Sequence, residues 1–473
     1  MDGHECSEVL LSKLERTNRL DAEFYKKNAL EISKILEALS AKPITEYIKI
    51  SDGNHMSISE HFVDTGIPYY RGQDIYNLFI ENSKPVYIER MIYDKPLMQR
   101  SHLKKGDILM SIVGAIVGNS AMVTSDKDAT CSCKLAIMRC TNNLILPETL
   151  LIYIKTKYGQ NQIQKFRRGA AQTGLILEDF DQIYIPLFSK CFQEKLVKVV
   201  NRIKQLTECS VAKYGQVEEY LINILDIDLS CDVNGGASIK SFSESFENTG
   251  RLDAEYYQPK YDKLINAIMS SRHKKLKEIV SIYKSIEPGS DAYQEEGIPF
   301  IRISDISQYG ISKTDKYLER RGKYDLPEYY LKKNEILFSK DGSVGIAYKV
   351  ENDTQAITSS ALLHLSVNES EEILPDYLTA VLNSKIVQLQ AERDAGGSII
   401  KHWKPSEIEE VLIPILDIEI QKNISQKVIE SFELQNCAKL LLEVAKQAVE
   451  IAIEQNETIA TEWLNDKSEK LIG

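Results

Sequence analysis

The side chains of this 473-residue chain whose types and spacing suit chemistry are basic and amide groups, and the chemistry they suit is recognition. Arg167 and Arg168 precede "GAAQTG", which carries Gln172, and Lys401, His402 and Lys404 occupy the matching place after "AGGSII". Arg320, Arg321 and Lys323 share one loop, and Arg71 and Gln73 share another. Lys104, Arg302 and Lys340 complete the set. Arginine can grip guanine O6 and N7, and glutamine can pair with adenine N6 and N7. Lysine and arginine also bind phosphates without reading sequence. A charge run is more often a solvated face. Here the clusters recur at equivalent places in a chain of net charge −11, so these residues are the candidate DNA contacts.

Nothing in the sequence nominates a reaction. There is no "[DNS]PP[YFW]" motif, no Gly-rich loop after a strand suited to S-adenosylmethionine, and no "GxxxxGK[ST]". Asp376 with Glu443 and Lys446 makes a poor nuclease set, because the spacing puts them on a helix start and a long helical rod. His55 in "DGNHMS" reads as a turn residue whose ring bonds nearby backbone, with Gly53 supplying a positive φ, in preference to a DNA contact or metal ligand. Cys131, Cys133 and Cys140 read as one strand with alternating faces, since zinc needs a fourth ligand and better spacing. "GAIVG", Gly114 to Gly118, reads as a β-turn. The expectation is no catalytic, cofactor-binding or metal residue.

The elements that position the basic groups come in two copies. "RLDAEFYKKN" at Arg19 returns as "RLDAEYYQPK" at Arg251, 232 residues on. "GIPYYRGQDI" at Gly66 returns as "GIPFIRISDI" at Gly297, "LKKGDILMSIVG" at Leu103 as "LKKNEILFSKDG" at Leu331, and "IYIP" ending at Pro186 as "VLIP" ending at Pro414. Matches kept in order signal internal duplication. Each half starts with a short amphipathic helix: Phe24, Leu30, Ile35 and Leu39 in one, Tyr261, Leu264, Ile265 and Ile268 in the other. A stretch of short strands and turns follows. Each half ends in a long helix. Phe192, Leu196, Val199, Ile203, Leu206, Val217, Leu221 and Leu225 set the stripe of the first. Ile420, Ile424, Val428, Phe432, Leu440, Val444, Val449 and Ile453 set that of the second.

A lone rod with an apolar stripe is unstable in water, so the two rods are expected to pack on each other, and Gly215 is a candidate kink. Run antiparallel, they would put the two heads at opposite ends of one rod. The expected class is α+β: two similar globular heads and two long helices packed as an antiparallel coiled coil, with a pseudo-two-fold repeat. The expected boundaries are 1–186, a head with its N-terminal helix; 187–228, a long helix; 229–240, a linker; 241–414, the second head; and 415–473, the second long helix.

Composition is that of a soluble protein, 43% hydrophobic and 27% charged. No apolar run has spanning length, the first residues do not read as a signal peptide, and eight cysteines are scattered without a framework. These features predict a cytoplasmic protein with no membrane partner.

The motifs together resemble the specificity subunit of type I restriction–modification systems. The resemblance rests on the duplicated "RLDAE[FY]Y", on "SDGNHMS" followed by "GIPYYRGQDI", on "GIPFIRISDI", on the "LKKxxIL" strand with its Gly-containing turn, and on the "LxxIxIP" segment before each long helix. It implies two target-recognition domains, each reading half of a split double-stranded DNA sequence, and helices that set the spacing. It implies a non-catalytic chain that directs two partner adenine-N6 methyltransferase subunits and restriction subunits. S-adenosylmethionine, ATP and Mg belong to those partners. Alternatives are a system whose partner fuses restriction and methylation, or a protein-interaction scaffold. The second half has "EPGSDAYQEEG" where the first has "DGNH".

Overall fold

The computed structural model describes residues 6–12, 14, 19–169, 173–227, 238–370, 372–396 and 401–472. They form two compact units, Met1–Leu206 with Asn436–Gly473, and Thr207–Gln435. Each long helix therefore contributes one segment to each unit.

In the first unit a four-stranded antiparallel sheet runs in the order Ile48–Asp52, Leu135–Cys140, Ile108–Ser111, Ser120–Met122. Ile108–Ser111 and Ser120–Met122 are buried on both faces, so neither shows the alternation of a strand with one face in water. Helix Pro147–Lys155 packs against Ser120–Met122 and starts on a proline, whose missing N–H costs nothing at a helix start. A second sheet runs Phe62–Val63, Val86–Ile88, Ile67–Tyr70, Thr130–Cys131, with its last pairing parallel.

The second unit repeats this plan. Its larger sheet runs Val280–Lys284, Leu362–Val367, Ile336–Ser339, Ala347–Lys349, and a smaller sheet pairs Ile298–Ile301 in parallel with Ile357–Thr358. The registers correspond: Ile48 faces Cys140 as Val280 faces Val367, and Ile108 faces Met138 as Ile336 faces Leu365. One amide clamp is also duplicated. Gln162 gives its Nε2 to Tyr184 O (3.0 Å) and takes the Tyr184 N–H (2.7 Å); Gln390 does the same with Leu412 (3.0 and 2.9 Å). These glutamines are buried, and each satisfies both the N–H and the carbonyl of one strand-edge residue.

The long helices run Lys190–Ile224 and Ile418–Glu454. All eight stripe positions of the first are buried. In the second unit Tyr214, Val217, Leu221 and Leu225 join Ile424 and Val428 in one core with Ile336, Phe338 and Trp403. Burying each leucine there is worth about 1.5–3 kcal/mol. Ser210 and Ser431 close a buried reciprocal link, each hydroxyl donating to the other's carbonyl at 2.8 Å. Two small side chains at the crossing let the backbones approach.

Several expectations need correction. The N-terminal helix, Lys27–Ala38, buries Ala29, Ile32 and Leu36, whereas Ile35 and Leu39 are exposed; Phe24 is buried from a preceding 3-10 turn. A buried alanine is invisible to a search for large apolar residues. The second long helix does not run to 473: it stops at Glu454, and a separate helix spans Glu457–Ile472. Asn456, a poor helix-interior residue, caps the new start by accepting the Ile459 N–H at 3.0 Å. Leu440 is exposed while Leu441 is buried, and Ile420 and Phe432 are half-buried. The helix continues through Gly215, where an added Cβ would meet nothing within 4 Å. Of the expected linker, 229–237 lies outside the described residues.

Candidate nucleic-acid interface

In each unit three loop tips are laced edge to edge by backbone hydrogen bonds. In the first, the Asn54 N–H donates to Cys131 O (2.8 Å), the Cys133 N–H to Asn54 O (3.0 Å), and the Ser132 N–H to Tyr70 O (2.9 Å). Residues 53–56, 71–74 and 131–134 thus lie side by side. In the second, Ile286 bridges Ser359, and the Ser359 N–H donates to Ile301 O at 2.9 Å. Two further loops join. Ile112 N–H donates to Lys134 O (3.0 Å) as Lys340 N–H does to Ala361 O (3.0 Å), and Gly114 N–H donates to Thr173 O (2.9 Å) as Gly342 N–H does to Lys401 O (2.8 Å). Gly114 and Gly342 both have positive φ, which permits this bend. The lacing satisfies backbone groups, so the loops keep their places without help from the tip side chains.

The tip side chains differ. In the first unit His55, Gln73 and Lys134 are exposed, and Arg100 is joined to His55 through Asp52. Asp52, mostly buried, accepts from His55 Nε2 at 2.5 Å and from Arg100 Nη2. Asn54 beneath is buried and bonds both the N–H and the carbonyl of Met56 at 2.9 Å. In the second unit the same places carry Glu287, Ser304 and Ala361. Glu287 Oε2 accepts from the Ser360 hydroxyl at 2.7 Å. Nearby, Asp341 accepts from Lys340 Nζ and pairs with His402 Nδ1 at 2.8 Å.

The sequence candidates separate into two groups. Arg71 is held by the buried Asp74 through Nε and Nη2, both at 3.2 Å, and Arg302 by Asp305 at 3.2 and 3.4 Å and by Asp315 at 2.5 Å. Both carboxylates also accept the arginine's own backbone N–H, closing a 3-10 turn. Arg168 pairs with the buried Asp179, and Arg167 with Gln164 (2.8 Å) and Thr173 (2.7 Å). Lys340 and His402 converge on Asp341 as above. These groups are committed to holding loops.

Gln73, Lys104, Arg320 and Lys401 are exposed, and their own side chains make no hydrogen bond or ion pair with another described residue, although the Lys104 N–H donates to Asp107 at 2.7 Å. Arg321 is exposed and uses its backbone N–H on Asp325, Lys323 lies over the Tyr324 ring, and Lys404 makes only a helix-start pair with Glu407 at 3.3 Å. The Tyr330 hydroxyl and the Arg321 N–H hold the Asp325 carboxyl below the usual carboxylate range, so the 320–323 loop is anchored with its cations outward. Gln172 lies outside the described residues.

Three readings of the sequence change. Gly53 is needed for space and not for a positive φ: a Cβ there would lie 2.4 Å from Cys131 O and Ser132 O. His55 bonds a side chain, Asp52, not backbone. The "CSC" segment is also not one strand. Thr130–Cys131 ends, a turn closes from Leu135 N–H to Ser132 O at 3.0 Å, and Leu135–Cys140 begins. Among the described residues no group of histidine, cysteine, aspartate or glutamate is placed to hold a metal. Asp376 pairs with Lys349 at 2.6 Å, and Glu443 with Lys446 at 2.9 Å.

Sequence reasoning missed Arg100, Lys134, Glu287 and Asp341. It also passed over a further echo, "YIERMIYDKP" at Tyr87 and "YLERRGKYDLP" at Tyr317, which aligns Arg90 with Arg320. Arg90 is occupied by Asp128 (2.6 Å) and Asp94 (3.2 Å), so the copies differ there in what the arginine is free to touch.

Residues 271–438 match the family model described as the type I restriction modification DNA specificity domain. No curated protein sequence matches the chain. Among solved structures it is similar to the S subunit of a type I restriction-modification system from M. genitalium, at 14% identity, over 90% of this chain and 95% of that one, with a TM-score of 0.35. It is also similar to the HsdS subunit from Thermoanaerobacter tengcongensis, at 16% identity, over 88% and 96%, with a TM-score of 0.29. Among the described residues no helix is long and apolar enough to cross a membrane.

Proposed function

We propose that this chain is a member of the type I restriction modification DNA specificity family, whose model matches residues 271–438, and that it reads a bipartite duplex target, one half-site per unit. The observation that carries this is the laced loop edge present in both units with different tips. A shared frame with unshared side chains suits one task performed on two different sequences. The exposed cations at Lys104, Arg320, Arg321, Lys323, Lys401 and Lys404 serve as phosphate contacts that set register, and the tips face the base edges.

In this reading the chain brings partner methyltransferase subunits, with their own S-adenosylmethionine, to adenine N6, and restriction subunits to the same target. The adenine lies inside the duplex and must be flipped out by the partner. The paired long helices set the number of unread base pairs between half-sites. The test is methylation mapping of a host carrying this chain and its partners. It should show one two-part motif that disappears when this chain is deleted. A motif that persists without the chain overturns the proposal.

A further inference from the structure

The loop tips carry groups of opposite hydrogen-bonding character, Arg100 in the first unit and Glu287 in the second, and each is held by a second group. In the first unit, Asp52 gathers His55 and Arg100, so the exposed guanidinium N–H groups of Arg100 are donors fixed beside the 53–56 loop. The support is stiff: Asn54 is buried, its N–H and carbonyl are both bonded to the 131–133 loop, and Gly53 is pressed against the same backbone. In the second unit, the Ser360 hydroxyl donates to Oε2 of Glu287, which leaves Oε1 without a described partner. Glu287 is exposed, in a loop fixed by the Ile286 to Ser359 bridge.

An acceptor-only carboxylate facing DNA is repelled by phosphates, so its favourable place is a base amino group. Glutamate accepts from cytosine N4, whereas paired donors match guanine O6 and N7. We infer that the two units read opposite members of a G·C pair: Arg100 meets a guanine in one half-site, and Glu287 meets a cytosine in the other. His55, Asp52 and Ser360 are positioning residues. The inference rests on the bipartite-DNA reading above and adds which residues specify which base.

The test is selection from a random-sequence duplex library by the purified full-length chain, repeated with Arg100→Gln, His55→Ala and Glu287→Gln. Arg100→Gln should reduce the preference for one guanine in one half-site by about tenfold, His55→Ala should reduce it by a smaller factor because His55 fixes the carboxylate that holds Arg100, and Glu287→Gln should reduce the preference for one cytosine in the other by about tenfold. A duplex with 7-deazaguanine at the first position, which lacks the N7 acceptor, should weaken the wild type and leave Arg100→Gln nearly unmoved. Ser360→Ala should lower cytosine preference while Ser360→Thr retains it. Unchanged preferences in folded variants, with the two-part wild-type sequence intact, overturn this inference alone. A wild-type chain that enriches no two-part sequence overturns the bipartite reading with it.

Discussion

The two loop edges share a backbone and share almost none of their tips. The first presents His55, Gln73 and Lys134 where the second presents Glu287, Ser304 and Ala361. Even the buried charges beneath are solved differently. Arg139 bonds Asp107 through Nη2 and Nε (2.5 and 2.6 Å) in the first unit, whereas Glu335, in the place of Asp107, accepts from the Tyr283 hydroxyl in the second, with His364 Nδ1 3.0 Å away. The difference teaches that the frame is maintained by backbone bonds and by the duplicated Gln162 and Gln390 clamps, which leaves the tips free to diverge.

The largest expected effect breaks the frame. Arg168→Ala leaves the carboxylate of Asp179, 2% exposed, without its cation. It should cost about 2–3 kcal/mol, since removing one partner of a buried pair strands the other and this arginine is partly solvated. Urea unfolding checks this. Arg320→Ala, Arg321→Ala and Lys323→Ala combined should leave stability within about 0.5 kcal/mol and flatten the salt dependence of DNA binding by up to about 2.7 log units, at about 0.9 per phosphate contact. An unchanged slope would place that loop away from DNA.

A smaller effect sharpens the comparison at the helix end below each sheet. Asn383 in the second unit bonds the Ala347 N–H and carbonyl at 2.9 and 2.8 Å; the equivalent place in the first unit holds Lys155. Burial, with Lys446 nearby, pushes the Lys155 ammonium down to about 8. The unfolded chain binds that proton more tightly. The penalty is therefore full below pH 8 and is relieved as pH rises toward the ordinary lysine value. Lys155→Met should stabilise the chain by about 1 kcal/mol at pH 7 and by less at pH 10, read from denaturation midpoints. The smallest effect is Gly215→Ala, which should raise stability by about 0.5–1 kcal/mol, because the site is helical and open.

The duplicated motifs are enough to read the two-copy plan and the short strands, and apolar spacing finds eight buried positions of the first long helix but passes over Val200 and Tyr214. The second helix was harder. Its core uses Ala438, Ala445 and Ala448, and small residues leave no apolar signature, so Leu440 was mistaken for core. The site was legible only as a list of cations. Sequence distance hid which of them already had partners: Arg71 and Asp74 are three apart, but Arg168 and Asp179 are eleven apart. Arg100 reaches Asp52 across 48 residues, and a charge three-dimensionally paired looks the same on paper as a free one. The acidic tip at Glu287 is a lone exposed carboxylate in an acidic chain, and nothing in the sequence distinguishes it from a solvated one.

If each unit reads its own half-site on an interchangeable frame, replacing one head by a copy of the other must replace its half-site. Methylation mapping of a chain in which residues 28–186 are replaced by a second copy of residues 260–414, co-expressed with the partner subunits, measures this directly. The first half-site should be lost and the second should appear on both sides of an unread gap. Retention of the original first half-site, or a change in the second, would contradict the proposed reading.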